Sequence, residues 1–273
     1  MWSLQLRDLS HLIGDAVFTI SLCLPRILVV LSMIPVFTSR TLPPRCRDVL
    51  AVVLALIPAF ALYPHMAGMD RSFPMVPMLV LKEAAIGLLL GLLLGLPFWL
   101  FESIGNMVDN QRGATFAQQM DPSTGADDLP VGRFTAMSFG VLFVLVGALS
   151  ALVKILTESF MVLPVYASLP TLDMALLDWF VKLYQQYLLL FVLLASPVVI
   201  GMLLVDFSLA IMSVYAPNMQ VYNLVGGIKT VLGLFLLAVY ARFLYEFGVT
   251  ELFTHLDLVS RFVAAGVSRG VSP

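Results

Sequence analysis

Charged residues are scarce in this chain. They make up 12% of its 273 residues, with 15 Lys and Arg set against 17 Asp and Glu. A soluble globular domain carries about a quarter, and a mean hydropathy of +0.98 excludes that class. A net charge of −2, spread thinly, leaves no basic patch of the kind nucleic-acid phosphates require. Cys23 and Cys46 are too few for a disulfide framework and read as small apolar fillers. His11, His65 and His255 stand apart, without metal-ligand spacing. A Walker-type phosphate loop, a Gly-x-Ser-x-Gly elbow and a His-Glu-x-x-His pair are all missing. Asp15 and Asp206 have no flanking motif to make them an intramembrane aspartyl pair. The chain therefore reads as a non-enzyme with no cofactor and no metal.

What is present is long apolar sequence. Uncharged runs cover residues 84–100, 134–153, 183–205 and 207–228, and a bilayer core needs roughly 20 apolar residues at 1.5 Å each. Two earlier regions are interrupted: 12–37 by Asp15, Pro25, Arg26 and Pro35, and 49–63 by Pro58. About six hydrophobic segments result, which describes an all-α integral membrane protein folded as one unit over 1–273. No cleavable signal is evident, because the first apolar stretch runs past signal length. Insertion is expected to use the first segments themselves.

Proline is expected to break these segments, since it removes a helical hydrogen bond and disfavours helix in the residue before it. Runs 134–153 and 183–205 read as plain helices, and 172–184 as a short amphipathic piece at the membrane interface. If every segment spanned, Arg7, Arg71, Lys154, Lys182, Arg242, Arg261 and Arg269 would face one side. Arg40, Arg45, Arg47, Arg112 and Arg133 would face the other. The bias that sets orientation is absent, which argues against simple in-and-out spanning. Asp15 and Arg26 share a helical face about three turns apart. As intramembrane charges they are functional candidates or partners of a neighbouring helix. Around 40–47, three arginines beside a Pro-Pro turn read as a headgroup-facing loop or a docking surface.

Gly87, Gly91 and Gly95 recur at four-residue spacing. Small residues on one helix face let another backbone approach closely, either within the chain or between subunits.

Eight of the chain's eleven Asn and Gln residues fall in two islands: Asn106, Asn110, Gln111, Gln118 and Gln119, then Asn218, Gln220 and Asn223. An unpaired amide in hydrocarbon costs roughly 2–7 kcal/mol, so both islands must face water, protein or a passing substrate. The first lies in the only long polar region, about 102–133. There Ile104, Met107, Val108, Phe116 and Met120 keep the first half packed against protein, while 121–128 reads as a solvated turn. Asp109 and Arg112, three residues apart, are placed for a local ion pair. The second island follows Pro217 within a break at about 215–229. Non-helical backbone at membrane depth survives only where protein or a wet cavity surrounds it, so a hairpin of two shorter helices fits 207–228 better than one span.

The stretch Gly105-Asn-Met-Val-Asp-Asn-Gln-Arg-Gly113 follows a Gly-rich apolar helix. Further on, Asp206-Phe-Ser-Leu-Ala-Ile-Met-Ser-Val-Tyr-Ala-Pro-Asn-Met-Gln-Val-Tyr-Asn-Leu leads to Gly227-Ile-Lys229. Together these resemble the T subunit of the type III secretion export apparatus (SctT) and its flagellar counterpart FliR. The likeness covers nearly the whole chain. Gly227 departs from the pattern, in which Pro more often precedes the Ile-Lys pair.

The resemblance implies a multi-pass protein of the bacterial inner membrane, built of Pro/Gly-broken helical hairpins. It implies assembly with R and S subunits, and with the U-type switch protein, into a helical export gate partly raised from the membrane plane. Unfolded substrate proteins would pass through the middle, surrounded by subunits and membrane lipid. By position, the loop that plugs the closed pore would be 106–120. Its pore or gate residues would be Asn106, Met107, Asn110, Gln111, Arg112, Gly113, Phe116, Gln118, Gln119 and Met120. Pro217, Asn218, Gln220, Asn223 and Lys229 would form the hairpin break and contact neighbouring subunits. Of the injectisome and flagellar systems, overall likeness favours the injectisome. Two rival readings stand beside this one. A solute or ion transporter would use a broken-helix site at 217–223, and a scaffolding subunit would do neither.

Overall fold

The computed structural model describes residues 2–38, 41–66, 75–112, 129–167, 174–215 and 221–270. Among them every regular element is helical. Helix α1 is Trp2–Met33, followed by a short 3-10 turn, Pro35–Phe37; α2 is Pro44–Met66 and α3 is Met75–Gln111. Then come α4 (Pro130–Leu145), α5 (Ala148–Val162), α6 (Met174–Tyr215) and α7 (Val221–Gly270). Five helices are long and apolar enough to cross a membrane, or six if α4 and α5 count as one broken span. This agrees with the roughly six hydrophobic segments of an all-α membrane protein.

Packing divides the chain into two compact units. One holds Met1–Gly95, Gly147–Asp173 and Phe253–Pro273, and the other Leu96–Val146 and Met174–Leu252. In the first, α1 lies along α2 and α3 crosses α1 at glycine. A methyl at Gly87 would sit 2.6 Å from the Arg26 carbonyl oxygen, and one at Gly91 would sit 2.9 Å from Met33 Cβ. The small-residue stripe therefore works inside the chain at these two positions, and Gly95 is buried as well.

In the second unit, α6 and α7 run antiparallel. Asp206 pairs with Lys229, and the flanking contacts step in opposite directions along the two helices. A methyl on Gly201 would meet Leu236 Cδ1 at 2.6 Å, and one on Gly233 would meet Met202 Cε at 3.1 Å. The two arms end at Tyr215 and begin at Val221, and neither helix is short. At 42 and 50 residues they would extend roughly 63 and 75 Å at 1.5 Å per residue, about twice a hydrocarbon core.

Several boundaries differ from the sequence reading. Prolines 25, 58, 64, 97 and 197 all lie inside helices. The chain breaks after α1 only at Ile34–Pro35. One lost hydrogen bond does not outweigh a long apolar helix when neighbouring groups re-satisfy the freed carbonyl. Asp206 does not separate two segments, because its charge is paired and α6 runs through it. Residues 174–184 are the first turns of α6, not a separate interfacial piece. The run 134–153, by contrast, is not one helix. It breaks between Leu145 and Ala148, where Gly147 takes φ +78°, a left-handed conformation glycine adopts without steric cost.

Candidate functional site

The first polar island begins in helix, not in loop. Helix α3 continues through Gln111, so Asn106, Met107, Asn110 and Gln111 project from its last turns. Asn106 and Met107 are half-buried and Asn110 is exposed. Opposite them stands the first turn of α4, which begins at Pro130.

Three features bind these two helix ends. Lowest is an aromatic cluster, with Phe101 stacked on Phe139 at 4.0 Å. Phe98 meets Phe139 at 5.3 Å and Phe143 at 5.1 Å edge-on. Offset and edge contacts of this kind add about 0.5–1.5 kcal/mol each beyond burial. Above it, Thr135 Oγ1 donates to the Phe101 carbonyl at 2.9 Å. Here the two backbones come together at glycine. A methyl on Gly105 would lie 2.6 Å from Gly132 Cα, and one on Gly132 would collide with Asn106 Oδ1.

The third feature is Asp109, which is fully buried. Its Oδ2 accepts from the backbone N–H of Val131 at 2.7 Å and of Gly132 at 3.1 Å. Its Oδ1 accepts from Arg112 Nε at 2.7 Å and lies 2.6 Å from Nη2. The ion pair expected from the i,i+3 spacing is therefore present, as one half of a larger arrangement. The first N–H groups of a helix have no partner within it, and Pro130 contributes none. Leu129, at the N-cap position, makes no side-chain bond to them. Asp109 supplies the acceptor from another helix, with its negative charge at the positive end of the α4 dipole.

The second polar island is partly visible. Helix α6 ends at Tyr215 and Asn223 falls in the first turn of α7. Lys229 Nζ donates to Asp206 Oδ2 at 2.9 Å, tying α6 to α7. Gly113, Phe116, Gln118, Gln119, Met120, Pro217, Asn218 and Gln220 lie outside the described residues.

A third constellation was only half legible in the sequence. Arg26 has no solvent exposure. Its Nε donates to Glu83 Oε2 at 2.8 Å, Nη1 to the Ser159 carbonyl at 2.8 Å, and Nη2 to the Leu163 carbonyl at 2.8 Å. The guanidinium also lies 4.0 Å over the Phe160 ring. Beside it Lys82 Nζ donates to the carbonyls of Pro164, Val165 and Ala167 at 3.1, 2.6 and 2.8 Å, and lies 3.1 Å from Glu83 Oε1. Arg26 thus binds a carbonyl in the last turn of α5 and that of its C-cap Leu163, where the dipole is negative, and Lys82 binds the carbonyls of the turn that follows. Arg26 is accounted for as the partner of neighbouring helices. An apolar helix carrying Lys82 and Glu83 side by side was the signal that a buried partner existed elsewhere.

No group of three His, Cys, Asp or Glu among the described residues is placed to hold a metal ion. His255 Nε2 donates to the Leu93 carbonyl at 2.8 Å, and His65 stacks on Tyr166.

Against known proteins, residues 17–255 match the family described as Bacterial export proteins, family 1. The Yop proteins translocation protein T of Yersinia pestis is 30% identical over 258 residues, covering 93% of this chain and 98% of that protein. Surface presentation of antigens protein SpaR of Salmonella typhimurium is 30% identical over 236 residues, 85% of each. Flagellar biosynthetic protein FliR of Bacillus subtilis is 29% identical over 193 residues, 69% of this chain and 73% of its own length.

Proposed function

The chain belongs to Bacterial export proteins, family 1, and from that premise we propose that it forms part of the conduit, and of the closing plug, of a type III protein export gate. That it is a multi-pass inner-membrane subunit of an export apparatus follows from the family and from its apolar helices. The finer reading concerns what its polar islands do.

One observation carries it. The chain brings the polar end of α3 and the capped start of α4 together through a buried carboxylate, two facing glycines and an aromatic cluster. The 16 residues 113–128, numbered between Arg112 and Leu129, are thereby tethered at both ends to one rigid base. The carboxamides, Gly113 and the apolar Phe116 and Met120 suit a plug that must bind an extended chain without sequence preference. Met107 stands at the edge of the same base.

The hairpin break with Pro217, Asn218, Gln220 and Asn223 is assigned to contact with neighbouring subunits. Apolar side chains cover much of the outer surface of α6 and α7, among them Leu189, Leu204, Phe207, Val231 and Val239. They require lipid or protein cover, and the R and S subunits, with the U-type switch protein, are the partners assigned. The slightly higher identity of the Yop and Spa relatives than of the FliR relatives favours an injectisome over a flagellar system.

Deletion of residues 111–115 in the assembled complex tests the reading. The complex should still form, and membranes containing it should leak small ions. Loss of assembly would point to a scaffold, and intact assembly without leakage would overturn the plug.

A further inference from the structure

We infer that His255 is a latch on the C-terminal arm of α7: it donates to the α3 carbonyl that Pro97 leaves without a helical partner, and so holds residues 253–264 on α3. The inference stands apart from the plug reading, because it concerns only that arm and α3.

A proline inside a helix has no N–H for the carbonyl four residues earlier. Pro97 lies inside α3, so the carbonyl it leaves open is that of Leu93. Leu93 is buried, and a buried acceptor left without a donor is costly. His255 Nε2 donates to that oxygen at 2.8 Å, from 162 residues away in the chain. Pro197, inside α6, shows the other solution. The carbonyl it leaves open is that of Leu193, and Ser196 of the same helix donates to it through Oγ at 2.7 Å. A serine beside the proline satisfies the carbonyl locally and commits no second helix. The residue before Pro97 is Leu96, whose side chain has no donor. Here the donor comes from α7, which makes it a tie between helices.

The rest of the arm shows why a directed bond matters. His255, Val259 and Val263 recur at four-residue spacing and are all buried, with Leu256 beside them. On the other side of the helix Asp257 and Arg261 are exposed and pair with each other at 2.8 Å. The arm is therefore amphipathic. Its apolar stripe favours burial, but that force is non-directional and tolerates small rotations and slips. A hydrogen bond to one carbonyl does not, since it weakens steeply with angle. Imidazole suits the place, because it packs like an apolar ring and still carries a directed N–H. Leu93 and His255 belong to the same compact unit, so the tie acts within one packed body. When the arm lifts, the Leu93 oxygen loses its donor at the same moment that Leu256, Val259 and Val263 lose their cover.

Dependence on residue 97 is the property that distinguishes a latch from a buried histidine that merely packs. Alanine at 97 restores an N–H able to close on the Leu93 carbonyl, after which the imidazole is surplus. Four variants of the full chain are compared in the assembled complex: His255→Leu, His255→Gln, Pro97→Ala, and Pro97→Ala combined with His255→Leu. The readout is amide hydrogen exchange of residues 253–264, with the amides of α2 as internal reference. His255→Leu should speed exchange of the arm roughly tenfold, the effect of leaving a buried acceptor open. His255→Gln, which keeps a donor at similar reach, should stay near the native rate. On the Pro97→Ala background His255→Leu should add little. Equal acceleration with and without Pro97 would overturn the inference, as would no acceleration in an intact His255→Leu complex. An equal rise in α2 would also overturn it, because the bond would then support the whole unit and not the arm. If His255→Leu alone does not assemble, recovery of assembly by Pro97→Ala supports the latch, and failure on both backgrounds rejects it.

Discussion

Arg26 Nη2 stands 2.7 Å from Glu83 Oε2, and neither side chain has any exposure. Around the pair the charges do not balance, since Lys82 adds a second cation and, among the described residues, Glu83 is the only carboxylate in contact. Carbonyls at the end of α5 accept from Arg26, and those of the turn after it accept from Lys82. The pair is thus a joint among α1, α3 and α5, and one that forces Gly87 to be small, because the Arg26 backbone fills the space a side chain would take.

Removing Glu83 should therefore be worse than removing the pair. Glu83→Ala leaves two buried cations uncompensated, and breaking a buried pair in this way costs about 3–5 kcal/mol. Arg26→Met with Glu83→Met, which leaves Lys82 on its carbonyls, should be milder. Thermal unfolding of the detergent-solubilised complex compares the two. A double variant as unstable as Glu83→Ala would show that the charges are not coupled.

Gly87→Leu should destabilise the same joint by overpacking. Forcing a side chain against backbone costs about 1–3 kcal/mol, and the clash here is with the Arg26 carbonyl and Cα, which cannot rotate away. Gly14, with nothing within 4 Å, is the control. Gly14→Leu should leave the melting temperature nearly unchanged, and equal losses at both positions would sink the close-approach account.

These cases mark where the sequence was readable. Hydropathy located the helices because burial in lipid demands long apolar runs, and four-residue glycine spacing located a crossing because it reflects local helical periodicity. Partners far apart in the chain left no such trace. Asp109 looked like one member of an i,i+3 pair with Arg112, since its other two partners are backbone groups 22 and 23 residues further on. Arg26 was recognised as costly, but nothing adjacent indicated Glu83, 57 residues on. Proline misled in the other direction, because its rule was learned where water, not neighbouring helices, surrounds the backbone.

Gly147 offers a test free of packing. Its φ is +78° and nothing lies within 4 Å of the place a Cβ would occupy. Any loss on substitution is then conformational, about 1–2 kcal/mol for an ordinary residue in left-handed backbone. Asn tolerates that region better than a β-branched residue, so Gly147→Asn should retain more stability than Gly147→Val. The reverse order in unfolding experiments would mean that α4 and α5 can join as one straight helix.

The Asp206–Lys229 pair should be worth less than the Arg26 joint, because Asp206 retains 38% exposure. Its position still gives it a specific role. Lys229 is only 12% exposed and sits on α7, eight residues after that helix begins at Val221, facing the arm it must pair with. Asp206→Ala leaves that ammonium at membrane depth with no partner, a cost of about 2.5–3.5 kcal/mol on insertion scales, reduced to the extent that the side chain can reach water. Charge exchange, Asp206→Lys with Lys229→Asp, keeps the pair and reverses its direction. If the pair holds the arms in register, Asp206→Ala should weaken the hairpin and the exchange should recover most of the loss. Cross-linking between cysteines introduced at Met202 and Gly233, which already face each other, measures this directly. Cross-linking in Asp206→Ala equal to that of the native pairing would show that apolar packing alone sets the register of the arms.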